Sequence, residues 1–268
     1  MRSRPAKRVL SALATALLTV GISACGDSAP AQEPAPSPSA SFPPPDQDAR
    51  VALAARAALA EDHRFSAMYT LESRGFAPRS VLATVATDGS WRVDVPSGAL
   101  GGTADVSIVQ LPSGLFQCAI PSPTNTVSPF CVRVAAAGKK VPRAYDPKIQ
   151  RIFRQWLPVF TDRQAALSVT AAQPLAGSSG SCFSVDTISA SLSAPVDVGI
   201  YCYADDGLLT AARVTFGTLT IAGAPAPPPP TIDLPGPVTG GEPMGMDAPP
   251  PPPPTEPPSV PSAPIPSA

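Results

Sequence analysis

Alternation of apolar and polar residues sets in at residue 65. Phe65, Ala67, Tyr69 and Leu71 alternate with polar positions, which predicts a strand with one buried face. A second strand over 80–87 puts Val81, Ala83 and Val85 on one side. A third over 91–95 alternates Trp91, Val93 and Val95 with Arg92 and Asp94. Asp88-Gly89 between them is a hairpin signal, because Gly accepts the positive φ of a tight two-residue turn. Two more strands fall over 104–111 and 115–120, broken at Pro112-Ser113-Gly114. The period differs in two places. Residues 48–62 are Ala-rich, with Val51, Ala54, Ala55, Ala58 and Leu59 at helical spacing and Asp46 or Asp48 as N-cap. Asp146 opens a second helix, with Pro147 at its first position and Ile149, Ile152, Phe153, Trp156, Leu157 and Phe160 as an apolar stripe that Pro158 ends or kinks. Strands over 166–172, 182–188, 198–203, 208–215 and 219–221 follow, with Asp206-Gly207 as another hairpin turn. This order predicts an α+β fold: one curved antiparallel sheet, a half-barrel, with helices on its concave face.

The ends of the chain follow other rules. Arg2, Arg4, Lys7 and Arg8 precede an apolar run from Val9 to Val20, too short for the roughly 20 residues of a spanning helix. A basic start, a short apolar core and small residues describe a secretory signal. The tetrapeptide Ile22-Ser23-Ala24-Cys25 resembles the bacterial lipobox. That resemblance implies cleavage after residue 24, a diacylglyceryl group on Cys25 and a chain held on the extracytoplasmic face of the cell membrane. Two or more acyl chains anchor stably, whereas one does not.

Of the 38 prolines, 19 lie from Pro225 to Pro266 and seven from Pro30 to Pro45. Proline runs cannot donate backbone hydrogen bonds and favour extended polyproline II. The expected division is therefore a signal over 1–24, a lipidated Cys25 and Pro-rich tether over 25–47, one domain over 48–223, and a disordered Pro-rich tail over 224–268. The domain is long enough for a single core. At about 3 Å per residue, the tether lifts that domain roughly 60 Å off the bilayer. Net charge is −1, and no basic block marks a nucleic-acid partner.

Cys118, Cys131, Cys182 and Cys202 form an even set in an exported domain, which argues for disulfides. Three connectivities are open. Short separations with turn residues between favour Cys118–Cys131 and Cys182–Cys202, worth roughly 3 kcal/mol each in the loop-entropy account. Absence of a CxxC spacing argues against a four-cysteine zinc site.

The segments FSAMYTLESRGF, VLATVATDGSWRVDVPSG and VSIVQLPSGLFQCAI, with the later hairpin YCYADDGLL, resemble the LolA/LprG-type superfamily of lipoprotein carriers. The Pro- and Ala-rich, Lys-poor composition goes with GC-rich actinobacterial sequences. The resemblance spans about residues 60–223. It implies a half-barrel that clasps acyl chains between sheet and helices, and it transfers no binding residue.

Catalytic signals are sparse. His63 is the one histidine, placed at a helix end where it complements the terminal carbonyls. Gly177-Ser178-Ser179-Gly180-Ser181 breaks the nucleophile-elbow spacing and reads as a hairpin loop. Asp205-Asp206 precedes Gly207 as an ordinary turn. No cofactor or metal motif stands out, and the expectation is a non-enzyme. The aromatic set Phe65, Tyr69, Trp91, Phe116, Phe153, Trp156 and Phe216 either fills the core or lines an apolar cavity. Two functions follow: an anchored carrier of a lipid ligand, or an envelope interaction lipoprotein that docks a wall component or protein through its sheet face or Pro-rich tail.

Overall fold

The computed structural model describes residues 47–122, 126–188 and 194–248. Cys25, the signal, the tether before residue 47 and the tail beyond residue 248 lie outside the described residues. Helix α1 (Gln47–Asp62) leads into a meander of six strands: β1 (Phe65–Glu72), β2 (Arg79–Val85), β3 (Trp91–Ala99), β4 (Ala104–Leu111), β5 (Gly114–Ile120) and β6 (Phe130–Ala135). A helical crossover follows. It consists of a π-helical turn (Arg151–Gln155) and the short α2 (Leu157–Thr161). A second meander then comprises β7 (Leu167–Ala172), β8 (Ser181–Thr187), β9 (Gly199–Tyr203), β10 (Leu209–Val214) and β11 (Gly217–Ile221). Strand β11 returns to pair with β1, so the two meanders join into one sheet; β12 (Val238–Thr239) completes it beside β6. The order is β12-β6-β5-β4-β3-β2-β1-β11-β10-β9-β8-β7, antiparallel throughout except at β12–β6. The fold is α+β, built on an open, curved sheet.

Both Asp-Gly turns form where the pattern places them. Gly89 and Gly207 take φ of 85° and 88°, and Asp88 and Asp206 accept hydrogen bonds from the amides two residues on. Gly207 has a second requirement. A Cβ there would lie 2.5 Å from the Ala60 amide nitrogen, because the β9–β10 hairpin abuts the end of α1. Arg56 on α1 secures this contact, donating to the Asp205 carbonyl and carboxylate at 2.6 Å each.

The alternation predicted for β1, β2 and β3 holds residue by residue. Phe65, Ala67, Tyr69, Leu71, Val81, Ala83, Val85, Trp91, Val93 and Val95 all join the main core, together with residues of α1, the π-turn and α2. The Tyr69 ring lies 4.9 Å from Phe153, and Trp156 and Phe160 both meet Tyr201 edge-on.

The buried face of α1 differs from the expected one. Ala49, Leu53, Ala57 and Ala60 are buried, while Val51 and Leu59 are exposed. A helix with alanine all round carries little amphipathic signal. Three alanines on the contact face allow close approach, and only Leu53 adds bulk. The second helix also differs: it does not begin at Pro147. Lys148 has a φ of 66°, and Asp146 instead accepts bonds from the Lys148 amide, the Gln150 side chain and Arg151. The α geometry of Ile149 and Gln150 gives way at once to the π-helical turn and resumes at Leu157, with Pro158 in its first turn, where the missing N–H is harmless. The last carbonyls of α1 take their hydrogen bonds from arginines. Arg64 and Arg154 donate to the Glu61 carbonyl, and the His63 ring packs 5.5 Å from Phe65.

The opposite face of the sheet carries two smaller clusters, each built on a disulfide. Cys118 and Cys131 are directly paired across β5 and β6, and Cys182 and Cys202 across β8 and β9, with Cα separations of 4.0 Å in both. The Cys131 amide donates outward to Pro237, so the first pair occupies a non-hydrogen-bonded position, where Cα atoms approach most closely.

Residues 224–248 correct the expected domain boundary at 223 and the disorder expected from residue 224. Pro229 and Pro230 accept hydrogen bonds from Thr87 and Asp88, using the carbonyls that proline retains. Ile232 packs with Val109, Phe116 and the Cys118–Cys131 disulfide. After β12, Gly245 and Met246 accept bonds from Leu100 and Gly101. The segment thus passes across the outer face, rounds the β6 edge and returns to the core side as a strap.

Candidate functional site

The space between the helices and the sheet is closed. Ala60, Phe65, Ile152, Phe153, Leu157, Tyr203 and Leu209 enclose only ≈ 10 Å³. Phe65, Tyr69, Trp91, Phe153 and Trp156 therefore fill the core instead of lining a cavity. Phe116 lies on the other face of the sheet, against the Cys118–Cys131 disulfide. The cause is register: β5 buries both faces, with Leu115 in the main core and Phe116 and Cys118 opposite. Of the seven aromatic candidates, Phe216 alone borders a large open space.

That space is a groove of ≈ 770 Å³ at the end of the sheet where β1 gives way to β2 and β10 to β11. Register places Leu71 opposite both Arg79 and Leu219, and Val214 opposite Gly217. Leu71, Val95, Ala99, Ile149 and Val214 line the groove and belong to the main core. Phe216 on the β10–β11 turn and Met246 on the C-terminal strap complete the apolar lining. Phe76, 47% exposed on the β1–β2 loop, lies at its margin against Gly102, where any Cβ would meet the ring at 2.7 Å.

The backbone around the groove is held in unusual conformations. Among the described residues, the non-glycine positions with positive φ are Ser97 (53°), Leu100 (52°) and Lys148 (66°), and Ser97 and Lys148 line the groove. Such conformations cost about 1–3 kcal/mol each and persist only where surrounding structure enforces them. Here carboxylates do so: Asp105 accepts from the Ser97 amide and Asp146 from the Lys148 amide, at 2.8 Å each. Leu100 is held by its bond to Gly245 of the strap.

Charge is distributed unevenly. The lining includes Arg74, Arg79, Arg143, Lys148 and Arg213 but only two carboxylates, Glu72 and Asp146. Asp146 is buried and spent on Arg151. None of the five cations forms an ion pair among the described residues. Arg79 is half-buried. Its guanidinium donates to the carbonyls of Pro96 and Ser97 and to Ser73 Oγ, all neutral, and stacks 4.6 Å over Phe76. Desolvation lowers its pKa, partly offset by Asp105. A second groove of ≈ 470 Å³ lies between the β1 and β11 outer faces and Leu175, and Arg213 borders both.

Of the groove's lining, the alternation pattern picked out Leu71 and Val95, as core positions of their strands. It missed Arg79, Arg143, Lys148 and Met246, which reach the groove from a loop, the crossover and the strap. The visible signal was the concentration of unpaired cations in SRGFAPRS and around residue 148.

No protein-family model matches the chain, and no curated protein matches it.

Proposed function

We propose that this chain is a non-enzymatic lipoprotein, anchored through Cys25 on the extracytoplasmic face of the cell membrane, that binds the apolar part of a lipid in the groove at the end of its sheet. The observation that carries this reading is the ≈ 770 Å³ opening of the core onto Leu71, Val95, Ala99, Ile149, Val214, Phe216 and Met246. Its volume lies in the range of small-molecule sites, roughly 300–1,000 Å³, which are mostly apolar with a few placed polar groups. Enforced backbone strain at Ser97 and Lys148 is a second support, since such strain clusters at binding sites. In this reading the face shared with α1 and α2 is the concave side of a half-barrel, as in the LolA/LprG-type carriers the sequence resembles. The ligand sits at the open end of that face, not between helix and sheet.

Docking of a partner through the proline run 227–230 has less support, because Pro229 and Pro230 already hold Thr87 and Asp88. The test is organic extraction of the purified chain followed by mass spectrometry. A lipid recovered at about one per chain agrees with the proposal; a chain that carries none and takes up no added lipid contradicts it.

A further inference from the structure

We propose that the groove contains an anion subsite formed by Arg79, Arg143 and Lys148, so that its ligand is an amphiphile with a carboxylate or phosphate head. This rests on the lipid-binding reading above and specifies the ligand class. A half-buried guanidinium normally pairs with a carboxylate, because burying an unpaired charge is costly. No carboxylate pairs directly with Arg79 among the described residues: Asp105 offsets its desolvation only in part, and the three acceptors of its hydrogen bonds are all neutral oxygens.

Arg143 and Lys148, from the segment between β6 and the π-helical turn, line the same groove. Both side chains are exposed and make no ion pair among the described residues. Asp146, between them in sequence, pairs with Arg151, so its charge is already spent. Three cations thus border one groove together with Leu71, Val95, Ala99 and Phe216, against a single carboxylate without an ion pair among the described residues, Glu72. An apolar lining beside unmatched positive charge fits a molecule with a tail and an anionic head. Arg offers a planar fork suited to carboxylate or phosphate, and Lys a point charge.

The test is displacement of a fluorescent fatty-acyl probe from the full chain by oleate and by monoolein, which share a tail and differ in head charge. Oleate is expected to displace the probe at about tenfold lower concentration at low salt, a preference that shrinks as ionic strength rises. Arg143→Gln with Lys148→Gln removes two charges without breaking a side-chain bond seen among the described residues. This variant and Arg79→Gln should each narrow the ratio between oleate and monoolein, and an undiminished ratio in both overturns the subsite. Arg79→Lys should keep part of the preference. Equal displacement by oleate and monoolein in the unsubstituted chain overturns the anion subsite and leaves the lipid groove standing. Displacement by inorganic phosphate alone also overturns it, assigning the cations to a free anion. If neither oleate nor monoolein displaces the probe, both readings fail.

Discussion

Gln117 on β5 holds the backbone of Met244 with both ends of its side-chain amide. Its Nε2 donates to the Met244 carbonyl at 2.9 Å, and its Oε1 accepts from the Met244 amide at 2.6 Å. The same Nε2 donates to the Tyr145 carbonyl, so one buried side chain ties the strap, the crossover and the sheet together. Gln117→Ala leaves these backbone groups without their partner. A loss of about 2–3 kcal/mol is expected, from removed hydrogen bonds and unsatisfied buried groups. Amide exchange should accelerate at 244–246 and at Leu100 and Gly101, which bond to the strap. Unchanged exchange there would show that the strap is held by something else.

Three buried tyrosines make a second prediction, because their hydroxyls differ in satisfaction. Tyr69 donates to the Leu209 carbonyl at 2.9 Å and Tyr201 to the Asp197 carbonyl at 2.6 Å, whereas the Tyr203 hydroxyl has no hydrogen-bond partner among the described residues. Tyr69→Phe and Tyr201→Phe should each cost about 1 kcal/mol in denaturant unfolding, and Tyr203→Phe should be neutral or stabilising. Equal losses in all three would contradict the assignment.

The same residues set the alkaline limit. Burial, as the largest cause, raises the pKa of Tyr69, Tyr201 and Tyr203 above the ordinary value near 10. The folded state therefore holds these protons after the unfolded chain has released them. Stability from this source is complete below about pH 10 and falls as pH rises beyond it. Tyrosinate absorbance from these three rings should appear together with loss of tertiary circular dichroism. Ionisation of all three well before unfolding would contradict their burial.

The disulfides are expected to act independently. They sit in separate clusters on the outer face, one beneath Ile232 and one beneath Leu175. Replacing either pair by serine should lower stability by roughly 3 kcal/mol. The Cys118–Cys131 replacement should also loosen β12, since the Cys131 amide bonds to Pro237. Exchange measured at 237–239 distinguishes the two variants.

The strands were readable because one-sided burial imposes a period of two on Phe65–Leu71, Val81–Val85 and Trp91–Val95. Both hairpin turns were readable because only glycine fits their φ. The face of α1 was not, since alanine marks no side. β6 and β12 escaped because Phe130–Ala135 buries Cys131 and Val132 consecutively and β12 is two residues long. Composition misled at 224–248. Proline predicts that a segment will not donate hydrogen bonds, yet its carbonyls still accept them, and that is how the strap attaches. The groove was the least visible feature. Its walls come from segments as distant in sequence as Arg79, Lys148 and Met246, and no local pattern links them.

Native mass spectrometry with Phe216→Asp tests whether the groove at the end of the sheet holds the ligand. Phe216 lines the groove without belonging to the buried core, so a carboxylate there alters the ligand's wall more than the fold. Tyr203→Phe, in the filled interior, serves as the comparison. The unsubstituted chain and Tyr203→Phe should carry about one amphiphile each, and Phe216→Asp should retain about tenfold less, a 1.4 kcal/mol loss of affinity or more. Equal lipid content in all three, or none in any, would contradict a ligand site at the end of the sheet.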